Sequence, residues 1–441
     1  MSGIAQLMLG RGERVSGSDL KESRATRELE ALGARIHIGH RAENIEGADL
    51  VVYSSAVKED NSEMVEARKR GIALMKRAEA LARLMQDKTV ITVAGSHGKT
   101  TTTSLVSYLL IEAGLSPTVA IGGILKNIDN NARLGNGKYF VAEADESDGS
   151  FLCYGPVYSI ITNIDHEHLD YYINFDAELS AFGKFVNKTA KEGCVFACSD
   201  DKNLNKIIND YKGRKVTFGL DPSADIHSIN IKLDGLSSEF DCIYKGRPIG
   251  RFKLALGGMH NISNALSVIA LGLELGVDLT FIRKTLEQYK GAGRRLEVKF
   301  SAKDIMIIDD YAHHPTEIRA TLSAAKNLKH KRLVCLFQPH RYTRTKLLLN
   351  EFASSFDDAD QVIITDIYPA NEQPIEGITG ELLYDKIKGQ YKNKEVIFLP
   401  RSGIKSYVLS QLIPGDIFLT LGAGDIIKVN DELVEEFKRK G

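Results

Sequence analysis

The chain has 441 residues, 43% hydrophobic and 26% charged, and 57 Lys and Arg against 58 Asp and Glu leave a formal charge of −1. That length suggests two to three domains with ample core, and the charge balance excludes a general attraction to nucleic acid or to an anionic lipid surface. No apolar run is long enough to insert in a membrane, the first residues do not form a signal peptide, and five scattered cysteines (Cys153, Cys194, Cys198, Cys242, Cys335) read as reduced structural thiols, so a cytoplasmic protein is expected.

In chain order, MSGIAQLMLGRG predicts a helix closed by glycine, and RVSGSDL (residues 14–20) a strand ending in a polar turn. Another helix, then ARIHIGH, then the buried strand of ADLVVYSSAV (48–57) continue an α/β alternation. Such alternation implies a parallel sheet with ligands at the carboxyl ends of its strands. A nucleotide-binding unit of this kind should open on a strand and a glycine-rich turn. This sequence opens inside the first helix, so either the fold differs or its first element is absent.

A second unit starts near Asp87 and carries VITVAGSHGKTTTT (90–103). Its first half is a buried strand by composition; Gly95 and Gly98 bracket Ser96 and His97, and Lys99, Thr100 and Thr101 begin a helix. A strand turning through glycines into a helix aims free backbone N–H groups at one point, where the helix dipole adds positive potential. Lys99 would reach the outer phosphates of a nucleotide and the Thr100 hydroxyl its magnesium. The pattern G-x-x-x-x-G-K-[ST] fails at its first glycine, where Val93 stands, so the loop is a shortened one. A glycine turn with a solvated lysine is the plain alternative. ATP binding is the expectation.

Two acidic segments follow. VAEADESDGSF (141–151) runs from a strand into Glu143, Asp145, Glu146 and Asp148, and TNIDHEHLDYY (162–172) gathers Asp165, His166, Glu167, His168 and Asp170 after the strand VYSIIT. Carboxylates at strand ends beside a phosphate loop suit divalent cations, which take oxygen ligands and bridge phosphate oxygens. Taken singly, each would be a solvated acidic turn. No further Cys or His cluster completes a zinc site.

LGGMHNISNALSVIALGLELG (256–276) is a helix with His260, Asn261 and Asn264 near its start, where amides could read a base edge or, for Asn261, simply cap the helix. GAGRRLE (291–297) reads as a hinge carrying Arg294 and Arg295. The third unit alternates strand and helix again and gathers Asp310, His313, His314, His340, Arg341, Arg344 and Asp425 at strand carboxyl ends. That is where a doubly wound sheet holds its ligands, which suggests a site for an anionic small molecule, with a solvated loop edge as the alternative.

The ordered runs GSHGKTTTT, EADESDGSF, TNIDHEHLDYY, MHNISNAL, GRRLE, DDYAHHPTE, FQPHRYTRT and LGAGDI together resemble the Mur ligases, over essentially the whole chain. Within that family the pattern is most similar to the members that join L-alanine to UDP-N-acetylmuramate. The resemblance implies an α/β protein of three domains: a Rossmann-like UDP-sugar-binding domain (1–86), a central P-loop ATPase domain (87–295) and a Rossmann-like amino-acid-binding domain (296–441). It implies ATP-dependent ligation in peptidoglycan precursor synthesis through an acyl phosphate, with ATP and Mg2+ (or Mn2+) as cofactors and UDP-N-acetylmuramate and L-alanine as partners. It leaves the oligomeric state undetermined.

Carried over residue by residue, the resemblance gives Lys99, Glu143, His168, Arg295 and His314 catalytic roles. Thr100 and Glu143 hold one metal ion and Glu143 with His168 a second, Asn163 lying nearby; on chemistry alone, Asp or Glu would be preferred to His for so hard a cation. Gly95, Ser96, His97, Gly98, Lys99, Thr100 and Thr101 take the phosphates, His260, Asn261 and Asn264 the adenine side, and Arg295 and Asp310 the region where the last domain closes on ATP. Tyr311, His314, Arg341 and Arg344 take the amino acid, and Ser18, Asp19, Ser54 and Ser55 the uridine side. Family members begin with a strand and a glycine-rich turn before M-S-G-I-A, so the N-terminal domain is expected to hold the UDP-sugar poorly. Rival readings are a superfamily ligase with another acceptor, such as the tripeptide-recycling enzyme or folylpolyglutamate synthase, a nucleotide switch, and a catalytically dead binding protein.

Overall fold

The structure is a computed structural model and describes residues 1–168 and 171–439; Asp170, grouped above with the second acidic segment, lies outside them. The chain divides into two compact units: Met1–Ser228 with Cys242–Ile249 and Ser263–Leu286, and Ile229–Asp241 with Gly250–Ile262 and everything from Glu287 onward. All five cysteines are free thiols. Among the described residues no helix is long and apolar enough to cross a membrane.

In the first unit the sheet runs in the order Asn130–Arg133, Thr118–Leu125, Tyr139–Glu143, Thr89–Ala94, Tyr158–Ile161, Cys194–Cys198, Lys215–Gly219. All these neighbours pair in parallel except the first two strands, which are antiparallel. Val90, Ile91, Val93 and Ala94 of the central strand are buried, as expected of a parallel strand covered on both faces. The register sets Val93 opposite Glu143 and Ala94 opposite Ile161. Both acidic segments therefore leave the sheet beside the end of the central strand, although they lie far apart in sequence.

The helix Lys99–Glu112 is buried from Thr100 to Leu110. Its hydroxyls tolerate that burial where they bond back along the helix: Thr103 donates to Lys99 O (2.8 Å) and Ser107 to Thr103 O (2.7 Å).

The N-terminal segment forms two separate two-stranded parallel sheets, Ser16–Asp19 with Arg35–Ile38 and Leu50–Tyr53 with Ala73–Lys76. The helix Ser2–Gly10 lies against the edge strand Asn130–Arg133, where a Cβ at Gly3 would stand 3.2 Å from that of Ala132. Arg11 donates to Leu84 O (2.6 Å), which ties the end of this helix to the segment leading into the central strand.

The second unit holds a six-stranded sheet in the order Glu297–Ala302, Ile305–Asp310, Asp416–Leu421, Arg332–Phe337, Gln361–Ile364, Glu395–Phe398, antiparallel only at the first pair. Alternate residues enter opposite cores: Ile308, Cys335, Phe337 and Leu419 on one face, Ile307, Val334, Leu336 and Phe418 on the other. The last strand of the chain lies between the first two parallel ones, and their carboxyl ends carry Asp310, Gln338 and Gly422.

Candidate functional site

The phosphate loop is built from backbone geometry that only glycine accepts. Gly95 has φ 130° and Gly98 φ 82°; a Cβ at Gly95 would collide with the Thr162 hydroxyl, and one at Gly98 would lie 2.8 Å from the Asn264 side-chain oxygen. Gly98 is the N-cap residue and Lys99 the first residue of the helix, so the loop amides and the helix N-terminus converge as the motif requires.

The segment Thr162–Asp165 clamps this loop. His97 N–H donates to Asn163 Oδ1 (2.9 Å), while Asn163 Nδ2 (3.0 Å) and the Thr162 hydroxyl (2.6 Å) donate to His97 O. Asp165 N–H donates to Ser96 Oγ (2.8 Å), and His97 Nε2 lies 3.0 Å from Asp165 Oδ2. Asn163, expected near a metal, is thus a brace for the loop. Asn264, expected on the adenine side, packs against Gly98.

Two carboxylate centres flank the loop. At the first, the Thr100 hydroxyl donates toward both oxygens of Glu143 (3.2 and 3.0 Å), and Gly122 N–H donates to Glu143 Oε2 (3.0 Å). Any Cβ at Gly122 would come within 2.9 Å of that carboxylate, so the cradle needs glycine. Burial raises the Glu143 carboxyl above its ordinary pKa, with the Lys99 charge and the Gly122 amide opposing. A hydroxyl beside a half-buried carboxylate is a donor set that fits Mg2+ or Mn2+.

At the second centre, Lys99 Nζ donates to Glu146 Oε1 (2.7 Å), Gly95 O (2.6 Å) and Ser96 O (3.1 Å). Burial pulls the ammonium down, but the charges of Glu146, Asp145 and Glu143 outweigh it and leave the pKa above the usual lysine value. His168 Nε2 lies 3.2 Å from Glu146 and 3.4 Å from Glu167. Glu178, wholly buried on the helix Phe175–Val186, is pushed up to about 8 by burial and then by the charges of Glu146 and Glu167, so it carries a proton at neutral pH.

Glu178 had no place among the sequence-derived candidates; its only signal was a lone acid in an otherwise apolar stripe with Phe182 and Phe185. In the N-terminal segment the Ser18 hydroxyl lies 3.0 Å from His40 Nδ1 and donates to Glu63 (2.9 Å), which also accepts from Asn44 (2.8 Å). His40, Asn44 and Glu63 were likewise missed, because each belongs to a different element. Asp19 accepts from Lys21 N–H at 3.4 Å, Ser54 is half-buried in the turn after Leu50–Tyr53, and Ser55 is exposed.

In the second unit Arg294, with φ 59°, donates to Asp309 Oδ2 (2.9 Å), Gly422 O (2.6 Å) and Gly424 O (3.3 Å). Arg295 lies over the Tyr311 ring and 3.6 Å from Glu317. Asp310 accepts Leu296 N–H (2.7 Å) and Ala312 N–H (2.8 Å), and burial pushes it up to about 6 against the pull of Arg295.

His260 is solvent-exposed at the start of the helix Met259–Glu274. Asn261 does not cap its helix, which begins at Met259; its amide donates back to Gly257 O (2.7 Å). His314 is the N-cap of Pro315–Lys326, accepting from Thr316 N–H (3.3 Å). His340 stacks on Tyr368 at 5.6 Å and its Nδ1 takes Arg344 Nη1 at 3.1 Å, while Arg341, with φ 70°, donates its N–H to Tyr368 O (2.8 Å). Four residues of the anionic-ligand cluster (His313, His340, Arg341, Arg344) thus gather with Tyr311 and Tyr368, a tyrosine the sequence did not single out.

Three family models match this chain: the Mur ligase family catalytic domain over residues 1–89, the Mur ligase middle domain over 93–272, and the Mur ligase glutamate ligase domain over 294–424. The chain is 48% identical to the UDP-N-acetylmuramate–L-alanine ligase of Geotalea daltonii over 99% of its own length and 96% of that protein's. Against the same ligase of Pelotomaculum thermopropionicum the identity is 48%, over 99% and 95%. Among solved structures, the UDP-N-acetylmuramate-alanine ligase MurC of Thermotoga maritima superposes with a TM-score of 0.85 at 32% identity, covering 100% of this chain and 97% of that one. A murein peptide ligase of Psychrobacter arcticus gives 0.71 at 25% identity, covering 99% and 96%.

Proposed function

Because this chain belongs to the Mur ligase family, we propose that it joins L-alanine to UDP-N-acetylmuramate with ATP as phosphoryl donor, in cytoplasmic peptidoglycan precursor synthesis. The observation that carries this reading is the full-length similarity to alanine ligases, in a chain whose phosphate loop, Lys99 and Thr100–Glu143 pair meet at one strand end.

A carboxylate is a poor acyl donor, because its leaving group would be an oxide. Phosphorylating it gives an acyl phosphate that an amine can attack, with phosphate leaving. Lys99 and the loop amides stabilise charge on the transferring phosphoryl group. Thr100 and Glu143 would hold a Mg2+ or Mn2+ ion, and Glu143 with His168 a second; such an ion supplies Lewis-acid neutralisation of phosphate charge. We assign Gly95, Ser96, His97, Gly98 and Thr101 to the phosphates, and His260, Asn261, Asn264, Arg295 and Asp310 to the rest of ATP. Tyr311, His314, Arg341 and Arg344 are assigned to alanine, whose carboxylate suits a paired guanidinium. Ser18, Asp19, Ser54 and Ser55 are assigned to the uridine side.

Supplied with ATP, UDP-N-acetylmuramate and one amino acid at a time, the protein should release phosphate most rapidly with L-alanine and none without the sugar nucleotide. Release indifferent to both would replace this reading with a nucleotide switch. A requirement for a tripeptide in place of alanine would move the chain to a recycling ligase.

The metal assignments have their own check. Glu143→Ala and His168→Ala should each raise the Mg2+ concentration needed for half-maximal phosphate release. Wild-type metal dependence in both variants would place the ions elsewhere.

A further inference from the structure

We propose that Glu146 is a positioning residue for the phosphate-loop lysine, holding the Lys99 ammonium folded back on its own loop without nucleotide and giving it up when phosphate arrives. The inference rests on the ATP reading above but is not contained in it, since no role is assigned there to Glu146.

The partners of Lys99 Nζ carry the argument: Glu146 Oε1 at 2.7 Å and the loop's own carbonyls Gly95 O and Ser96 O at 2.6 and 3.1 Å. A lysine reaching for an outer phosphate cannot keep all three, because those carbonyls lie on the loop the phosphates must occupy. Glu146 cannot follow it. Its residue is wholly buried, and its backbone is fixed where the carbonyl accepts Gly149 N–H (3.0 Å) and the Tyr172 hydroxyl (2.7 Å).

The carboxylate is also used unevenly. Oε1 faces both Lys99 and His168, while Oε2 is buried with no hydrogen-bond partner. Glu167 and Glu178 stand nearby, so once Lys99 leaves, His168 is the one basic neighbour seen on Glu146 among the described residues. Departure of the lysine therefore leaves the buried Glu146 carboxylate near that of Glu167 without its main counter-charge, and nucleotide has to displace an internal anion before it gains the lysine. The same pairing keeps the Lys99 ammonium beside the loop, close to where the phosphates must sit.

Glu146→Gln keeps the shape and removes the competing charge. Isothermal titration of the full-length protein with Mg2+ and the non-hydrolysable analogue AMP-PNP should give a Kd roughly tenfold tighter in Glu146→Gln than in the unmodified protein. Turnover in the phosphate-release assay should fall at the same time. In a Lys99→Met background the Glu146→Gln change should leave the Kd unmoved, because the effect passes through the lysine. Should Glu146→Gln not fold, Glu146→Asp, which withdraws the carboxylate by one methylene, must tighten binding in the same direction. Unchanged or weaker binding in the variant that folds overturns the proposal, as does an equal shift in the Lys99→Met background. No AMP-PNP binding to the unmodified protein would overturn the ATP reading and this proposal with it, an outcome separate from the others.

Discussion

Lys99→Met is expected to lower kcat for phosphate release by on the order of 10²–10³-fold, the scale seen when one donor to a developing anion is removed. The loss should appear mainly in kcat, because the lysine charge counts most while negative charge migrates between phosphate oxygens. The structure adds a complication. Lys99 is also a partner of the buried Glu146, so the single substitution strips a buried ion pair and lowers stability as well. Lys99→Met combined with Glu146→Gln separates the two effects, restoring the thermal transition and leaving turnover lost. A double variant with near-normal kcat would show that the activity loss came from disturbed folding and that the loop assignment is wrong.

Arg294→Met should destabilise the second unit by about 3–5 kcal/mol, the cost of leaving a buried charge without its partner. Asp309 is wholly buried, and Arg294 is the guanidinium seen on it at 2.9 Å. The remaining Asp309 oxygen takes the Thr420 hydroxyl (2.8 Å), which in turn accepts from Asn430 Nδ2 (2.7 Å). The same guanidinium satisfies Gly422 O and Gly424 O in the turn after the Asp416–Leu421 strand. Burial lifts the Asp309 carboxyl above its ordinary value while Arg294 and Thr420 oppose, so removing the arginine leaves the lifting effect dominant. The Asp309 pKa should then rise further. Urea denaturation followed by far-UV circular dichroism is the measurement; a loss below about 1 kcal/mol would mean the charge is met by another group. Arg295→Met, whose guanidinium meets Glu317 at 3.6 Å, should cost much less.

These two arginines show where sequence reading stops. GRRLE presents them side by side, and the structure turns Arg294, with φ 59°, into the strand ends while Arg295 lies on Tyr311. Adjacent residues of one type can be told apart only by the backbone path, and that path is set by the sheet it joins.

The alternation of elements, the central buried strand, the glycine-bracketed loop and the gathering of polar residues at strand ends of the third unit were all legible in the sequence. Each depends on local chemistry: β-branched apolar runs, glycine's access to positive φ, and an unpaired helix N-terminus. Membership of a family was legible too, because eight short motifs keep their order along the chain. The resemblance singled out Glu143, but tertiary structure alone decided what each carboxylate touches. Glu143, Asp145, Glu146 and Asp148 fall within six residues and are alike in local composition, but strand register puts Glu143 on Thr100 and the turn beyond it puts Glu146 on Lys99. It also made Asn163 a clamp on His97, His314 a helix cap, and Glu178 a buried acid facing other acids. Those roles arise from parallel pairing between strands separated by tens of residues, and the physical quantity that selects among neighbouring side chains, their direction after the strand ends, is absent from any local pattern.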